Sequence, residues 1–291
     1  MATYSIKDIE LLSGIKAHTL RIWEQRYNFL EPKRTETNIR FYDDEQLKKI
    51  LNISLLYKHG YKISKIDQLS NEKIKEEVLR IHQQSTSNDL FMDTLIHCTL
   101  EFDEALFTQT LNQILSLQSF EIGISEVVFP FLQRIGGLWT TGSIRPIQEH
   151  FISNLIRKKI ISATEALPEN TRDDRKKFVL FLPEHEMHEM LLLFSDYIIR
   201  KAGHQTVYVG NCVPWEDIEF IQSKFNPDAL VSFFSNPFPA QGLSNFINRM
   251  SESFPHCQIL LGGSVLQDEI LSIPQNVSVC HSYKEFVSHL T

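Results

Sequence analysis

From residue 177 onward, short β-prone runs alternate with longer amphipathic stretches, and this pattern constrains the fold more than any other. The runs are FVLFL (178–182), TVYVG (206–210), ALVSFF (229–234), QILLGG (258–263) and VSVC (277–280). EMLLLFSDYIIRKAG, PWEDIEFIQSKF and AQGLSNFINRMSESF lie between them with helical periodicity. Such alternation predicts a flavodoxin-like parallel sheet with helices on both faces. Ligands of these sheets sit at the carboxyl ends of the strands. PEHEMHEML (183–191) follows the first run directly, so its two histidines and three glutamates fall at that position.

The rest of the chain has a different rhythm. Polar stretches QQSTSND (83–89) and PENTRDDRKK (168–177) divide it into 1–82, 90–167 and 177–291. The middle part carries four helical stretches, FMDTLIHCTL, EALFTQTLNQIL, ISEVVFPFLQRIGGLW and IQEHFISNLIRKKIISATEAL, which predict a four-helix bundle. In the first part, Ser5 caps a helix through Leu12 that Gly14 ends, and a second helix runs from about Lys16 to Tyr27. Two short helices joined by a glycine-containing turn form a helix-turn-helix. Pro32, Asn38 and the β-prone IRFY then predict a wing, after which Asp43 caps a helix whose apolar face runs through Ile50, Ile53, Leu55 and Leu56. The expected architecture is therefore multidomain α and α/β: a winged helix-turn-helix, a four-helix bundle and a flavodoxin-like parallel sheet.

Charge divides along the same lines. Residues 1–80 hold 15 Lys/Arg against 12 Asp/Glu, whereas the remainder holds 14 against 24. A basic head on an acidic body points to anion binding at the N-terminus. No apolar run is long enough to span a bilayer, and MATYSIKDIE lacks a signal-peptide core, so a cytosolic location is expected. Cys98, Cys212, Cys257 and Cys280 are scattered without CxxC spacing, which fits reduced thiols filling cores.

The head carries Arg21, Trp23, Glu24, Arg26, Tyr27, Pro32, Arg34, Arg40 and Tyr42 at a spacing that resembles the MerR family of transcription regulators, over about residues 3–70. The resemblance implies a winged reader of double-stranded operator DNA. Lys16, His18, Thr19 and Arg21 lie at the start or outer face of the second helix, where side chains reach phosphates or base edges. Arg34 and Arg40 on the wing are expected to add phosphate or minor-groove contacts. Trp23 and Tyr27 belong to the domain core. Such readers work as dimers over two half-sites, so a homo-oligomer is expected.

In the middle part, Trp139 is separated by nine residues from Glu149 and His150. This pattern resembles the helical cap of the CarH/LitR cobalamin-dependent photoreceptors, which begin with the same kind of head. The resemblance implies that Trp139 covers the upper ligand of adenosylcobalamin, with Glu149 and His150 close to it. A tryptophan offers a broad apolar plate for a nucleoside. The third part resembles the cobalamin-binding fold, whose first loop carries an acid, one residue, a histidine, two residues and a glycine. On this alignment His188 is the lower cobalt ligand, Glu186 orients it, Gly262 and Gly263 admit the cofactor tail, and Ser232 or Ser235 is the serine after the third strand. His185 is an alternative ligand. The chain departs from the family at Leu191, where the family has glycine, and lacks the glycine that precedes the acid.

No phosphate-binding glycine loop, catalytic triad or HExxH motif occurs, so a non-enzymatic role is expected. The reading is a transcription regulator that senses adenosylcobalamin, and through it light, with the cofactor between bundle and sheet. Two alternatives stay open: a MerR-like regulator whose sensor no longer binds cobalamin, and a corrinoid-carrying methyltransferase subunit.

Overall fold

The computed structural model describes residues 3–27, 29–34, 38, 40–84, 88–140, 142–168, 174–235, 242–268 and 273–290. The expected linkers at 83–89 and 168–177, the tip of the wing and the start of the AQGLSNF stretch lie partly outside them. The chain forms two compact units, 1–155 and 156–291.

The first unit opens with α1 (Ile6–Ser13) and α2 (Ala17–Arg26). Ser5 and Asp8 form a reciprocal capping box, in which Asp8 N–H donates to Ser5 Oγ at 3.3 Å and Ser5 N–H to Asp8 Oδ2 at 2.7 Å. Gly14 ends α1 at φ 70, a conformation that suits glycine. The wing is a minimal hairpin, β1 (Lys33–Arg34) antiparallel to β2 (Arg40–Phe41), with Arg34 opposite Arg40. Asp43 caps α3 (Asp44–Lys58) by accepting Gln46 N–H at 3.0 Å. Next come α4 (Ile63–Ile66) and α5 (Asn71–Gln84).

The bundle follows as α6 (Asn88–Glu101), α7 (Glu104–Leu117), α8 (Phe120–Gly123) continuing into α9 (Phe129–Thr140), and α10 (Pro146–Glu165). Pro130 lies inside the third of these four rods. A proline there lacks an N–H and crowds the carbonyl one turn back. The rod absorbs it through a π turn, Ile124–Val128, in which Phe129 N–H reaches Ile124 O. Nothing in the periodicity of ISEVVFPFL signals that turn. Within this unit, head and bundle are tied by polar contacts: Arg134 Nη2 donates to Leu11 O at 3.0 Å, and Ser143 Oγ to Asp8 Oδ1 at 2.7 Å.

The second unit takes in α10 from Ile156 onward and the parallel sheet. Its strands are β3 (Lys177–Pro183), β4 (Gln205–Val213), β5 (Ala229–Phe233), β6 (Gln258–Gly262) and β7 (Val277–Val279), in the order β4-β3-β5-β6-β7. All five expected runs form strands, and every pairing is parallel. The intervening helices are α11 (Met190–Lys201), α12 (Trp215–Phe225), α13 (Gly242–Ser253) and α14 (Val265–Asp268), with α15 (Tyr283–Ser288) closing the chain. Strand alternation sends Val179, Phe181, Leu230, Ile259 and Leu261 to one face, where they pack with Ile218, Ile221, Ile247 and Met250 of α12 and α13. α11 and α15 meet through Phe194 and Tyr283, whose ring centroids are 5.6 Å apart. The strand order reverses between β3 and β5, so the loops after those two strands flank the switch point where such sheets bind ligands. PEHEMHEML begins in one of them. Among the described residues no helix is long and apolar enough to cross a membrane.

Candidate functional site

On the head, α2 keeps Lys16, His18 and Arg21 exposed and Thr19 half-buried. Glu10 of α1 fixes the start of α2, accepting Lys16 Nζ at 3.0 Å and Ala17 N–H at 3.1 Å. The Lys16 ammonium holds the Glu10 carboxyl below the usual carboxylate range. Arg34 Nη1 donates to Asn38 Oδ1 at 2.8 Å at the exposed edge of the wing. Arg40 is used differently from Arg34: its Nε donates to the buried Glu24 carboxylate at 2.9 Å, and Tyr42 OH donates to the same carboxylate. Burial, and then the Glu24 charge, push the Tyr42 hydroxyl far above the ordinary tyrosine range. Arg40 thus braces the wing against α2 whatever else its outer nitrogens do. Trp23 is buried, edge-on to Tyr57 with centroids 5.1 Å apart. Tyr27 stacks on Phe29 at 5.7 Å and remains half-buried.

On the bundle, Trp139 ends α9 with 51% of its surface exposed, a large apolar plate left outside the core. Glu149 and His150 occupy the first turns of α10. His150 Nδ1 lies 2.8 Å from Glu149 Oε2, and Ser153 Oγ donates to the other carboxylate oxygen. A carboxylate near a helix N-terminus is stabilised by the helix dipole.

On the sheet, the loop after β3 folds back on itself. Glu186 is buried, and its Oε1 accepts His188 N–H at 2.9 Å and lies 2.7 Å from His188 Nδ1. Its Oε2 accepts the Ser235 N–H, from the loop after β5, at 2.7 Å. The His188 side chain is 61% exposed. A carboxylate on Nδ1 fixes the ring's tautomer and rotation, with Nε2 on the opposite edge of the ring. His185 takes φ 69, the left-handed region that glycine favours. The turn therefore keeps the backbone shape of a glycine without the glycine.

Ser232 lies within β5 rather than after it. It is 1% exposed, and its Oγ has no hydrogen-bond partner among the described residues. A buried hydroxyl without a partner is costly, and such atoms mark places where a ligand completes the bonding. Ser235 stands at the loop and serves Glu186 through its backbone. Gly263 has φ 112, and a Cβ there would fall 2.2 Å from Phe234 O, so only glycine fits. A Cβ on Gly262 would meet the Phe233 ring at 2.8 Å. Both glycines are accounted for by the chain's own packing, with Phe233 lying over the first. Leu191 is half-buried in the first turn of α11.

Three features escaped the sequence reading. Glu189 pairs with Arg157 and Tyr208, two residues distant in sequence with no motif to link them. Cys212 lies with its Sγ 3.8 Å from Glu186 O at the end of β4. The Ser235 amide acts through its backbone, which leaves no mark on side-chain identity. Among the described residues no group of three or more His, Cys, Asp or Glu is arranged to hold a metal ion. An imidazole braced by a carboxylate, as His188 is by Glu186, suits a metal already held by a macrocycle.

Residues 4–73 match the MerR HTH family regulatory protein model, and residues 92–162 match the B12 binding domain model. The chain is 26% identical over 258 residues to the HTH-type transcriptional repressor CarH of Myxococcus xanthus, covering 87% of this chain and 82% of that protein. It is 24% identical over 279 residues to CarA of the same organism, covering 93% and 90%. Among solved structures, the monomethylamine corrinoid protein of Methanosarcina barkeri superimposes with a TM-score of 0.53 at 14% identity, over 70% of this chain and 98% of that one. That likeness extends the shared fold through bundle and sheet.

Proposed function

We propose that this chain, a MerR-type DNA-binding regulator carrying a B12-binding domain, responds to adenosylcobalamin and, through it, to light. One observation carries the reading: the buried Glu186 carboxylate grips both the backbone and Nδ1 of His188, which orients an exposed imidazole at the switch point of the sheet. His188 would hold the cobalt and Glu186 would orient its ring. Ser232 offers an unpaired buried hydroxyl on the strand beside it. On the bundle, the exposed Trp139 and the Glu149–His150 pair are the residues that would contribute to holding the cofactor. When bound, adenosylcobalamin supplies a cobalt–carbon bond that light cleaves.

The output is DNA binding. Lys16, His18, Thr19 and Arg21 on α2 meet the major groove, and Arg34 meets the phosphate backbone beside it. Arg40 contributes chiefly by bracing the wing through Glu24. A homo-oligomer spanning two half-sites is the natural operator-bound form. The repressor relatives and the N-terminal reader favour this role over that of a corrinoid carrier for a methyltransferase.

The test is direct. Protein incubated with adenosylcobalamin in the dark and passed through gel filtration is expected to retain visible absorbance, and illumination is expected to change both the spectrum and operator affinity. Colourless protein after filtration refutes the sensor reading.

A second reading is favoured by Phe233 and Leu191: a regulator that keeps this architecture without the cofactor. The Phe233 ring lies over Gly262, and Leu191 stands half-buried in the first turn of α11. Under that reading the wild-type protein binds no cobalamin, and Leu191→Gly restores measurable binding.

A further inference from the structure

The loop that carries His188 holds a second carboxylate, Glu189, for which the ligand set just described has no role. Glu189 occupies the N-cap position of α11, yet its side chain caps none of that helix's N–H groups. Its carboxylate turns instead to two other elements. Arg157 Nε on α10 donates to Oε1 at 2.8 Å, and Tyr208 OH on β4 donates to Oε2 at 3.3 Å. The Glu189 side chain is only 14% exposed, whereas Arg157 is 46% exposed. Burial, and then the Glu189 charge, raise the Tyr208 hydroxyl well above the usual tyrosine range, which keeps it a donor. A carboxylate this sheltered, with one charged and one neutral donor, is held more firmly than a surface ion pair.

His188 therefore sits between two anchors. On one side Glu186 fastens the loop to the Ser235 amide after β5. On the other, Glu189 fastens it to α10 and β4. An axial ligand must hold its nitrogen to within about half an ångström of the metal, and ring orientation alone does not fix the backbone that carries it. Glu186 supplies the orientation, and the Glu189 anchor supplies the position.

We infer that Glu189, through Arg157, is a positioning residue that locks the His188 loop to α10. The inference rests on the reading of His188 as a cobalt ligand and adds a mechanical consequence to it.

The test compares Arg157→Met, Glu189→Gln and the double variant in the full-length protein, with two measurements. Amide hydrogen exchange without cofactor reads the loop itself, and each single variant is expected to speed exchange at the His188 and Ser235 amides by about ten-fold. Titration with hydroxocobalamin, followed by the absorbance change on imidazole ligation, is expected to show about ten-fold weaker binding in each single variant. The double variant is expected to be no worse than the weaker single, because both changes break one link. Unchanged exchange in both single variants, or losses that add in the double, overturn the inference. If the wild-type protein gives no hydroxocobalamin signal, the ligand reading fails while the exchange measurement still decides the anchor. A lowered melting temperature with wild-type exchange in the loop assigns the pair to general stability and also overturns it.

Discussion

Glu186 Oε2 accepts the Ser235 backbone N–H at 2.7 Å, and this one bond joins the two loops that flank the reversal in strand order. The carboxylate is buried, and its other oxygen serves both the N–H and the ring of His188. A single side chain thereby closes the switch point and aims the imidazole. Buried carboxylates are tolerated only where donors surround them, and here each donor belongs to the site.

Removing that carboxylate has two consequences that separate on substitution. Glu186→Ala leaves the His188 and Ser235 amides without their acceptor and is expected to destabilise the sheet unit by about 2–3 kcal/mol. Glu186→Gln keeps one acceptor oxygen but presents an amide N–H to one of the two sets of donors, and is expected to cost about half as much. Urea unfolding measures both, and hydroxocobalamin binding is expected to fall in the same order.

The fold was legible because its signals are local and repeated. Five β-prone runs between amphipathic stretches fix a parallel sheet, and Ser5, Gly14 and Asp43 mark helix ends by their own chemistry. The Glu186–His188 contact was legible for a similar reason: residues two apart in a tight loop can share a hydrogen bond. The Glu189–Arg157–Tyr208 link was not, since it depends on how α10 and β4 pack beside the loop. Arg40 shows the same limit. Its place on the wing is readable, but its bond to Glu24 arises only once the wing folds against α2.

Arg21 and Arg40 are expected to part company on mutation. Arg21 is exposed, so Arg21→Ala is expected to leave unfolding unchanged while reducing the salt-dependence slope of DNA binding by about 1. Arg40→Ala leaves the buried Glu24 carboxylate with Tyr42 as its remaining partner among these contacts, and is expected to destabilise the head by about 1–2 kcal/mol. Fluorescence anisotropy with a DNA duplex at several salt concentrations, alongside urea unfolding, distinguishes the two. Equal effects on stability contradict the assignment of Arg40 as a brace.

Stability at high pH is expected to depend on Cys257. Its thiol donates to Pro227 O at 2.7 Å, and burial pushes its pKa up to about 11. A group whose pKa is raised on folding contributes stability in full below its ordinary pKa, 9.0 for this thiol. That contribution is lost as pH rises toward about 11, because the unfolded chain releases the proton first. Cys257→Ala is expected to flatten the fall of unfolding free energy across this window by about 2–3 kcal/mol. Chemical unfolding at pH 8, 9, 10 and 11 (approximate settings spanning the two pKa values) reads the slope. An unaltered slope in the variant assigns the loss to other groups.

The two glycines at the end of β6 make the sharpest structural contrast. At Gly263 the obstacle is backbone: φ is 112, and an added Cβ would lie 2.2 Å from Phe234 O. No side-chain movement relieves that, so Gly263→Ala is expected to cost about 3 kcal/mol or more. At Gly262 the obstacle is the Phe233 ring, 2.8 Å from the added Cβ, and a ring can turn or be removed. Gly262→Ala is expected to cost about 1–2 kcal/mol, from overpacking alone. Adding Phe233→Ala to each variant then separates the causes: relative to Phe233→Ala alone, the Gly262 penalty is expected to disappear and the Gly263 penalty to persist. Phe233→Ala by itself opens the space over Gly262, so it also tests whether that ring bars the cofactor tail. Tighter hydroxocobalamin binding in Phe233→Ala than in wild type favours the reading in which the native chain has closed its tail channel. Binding by the wild-type protein that Phe233→Ala leaves unchanged means that the ring moves aside at no cost, and the adenosylcobalamin reading stands.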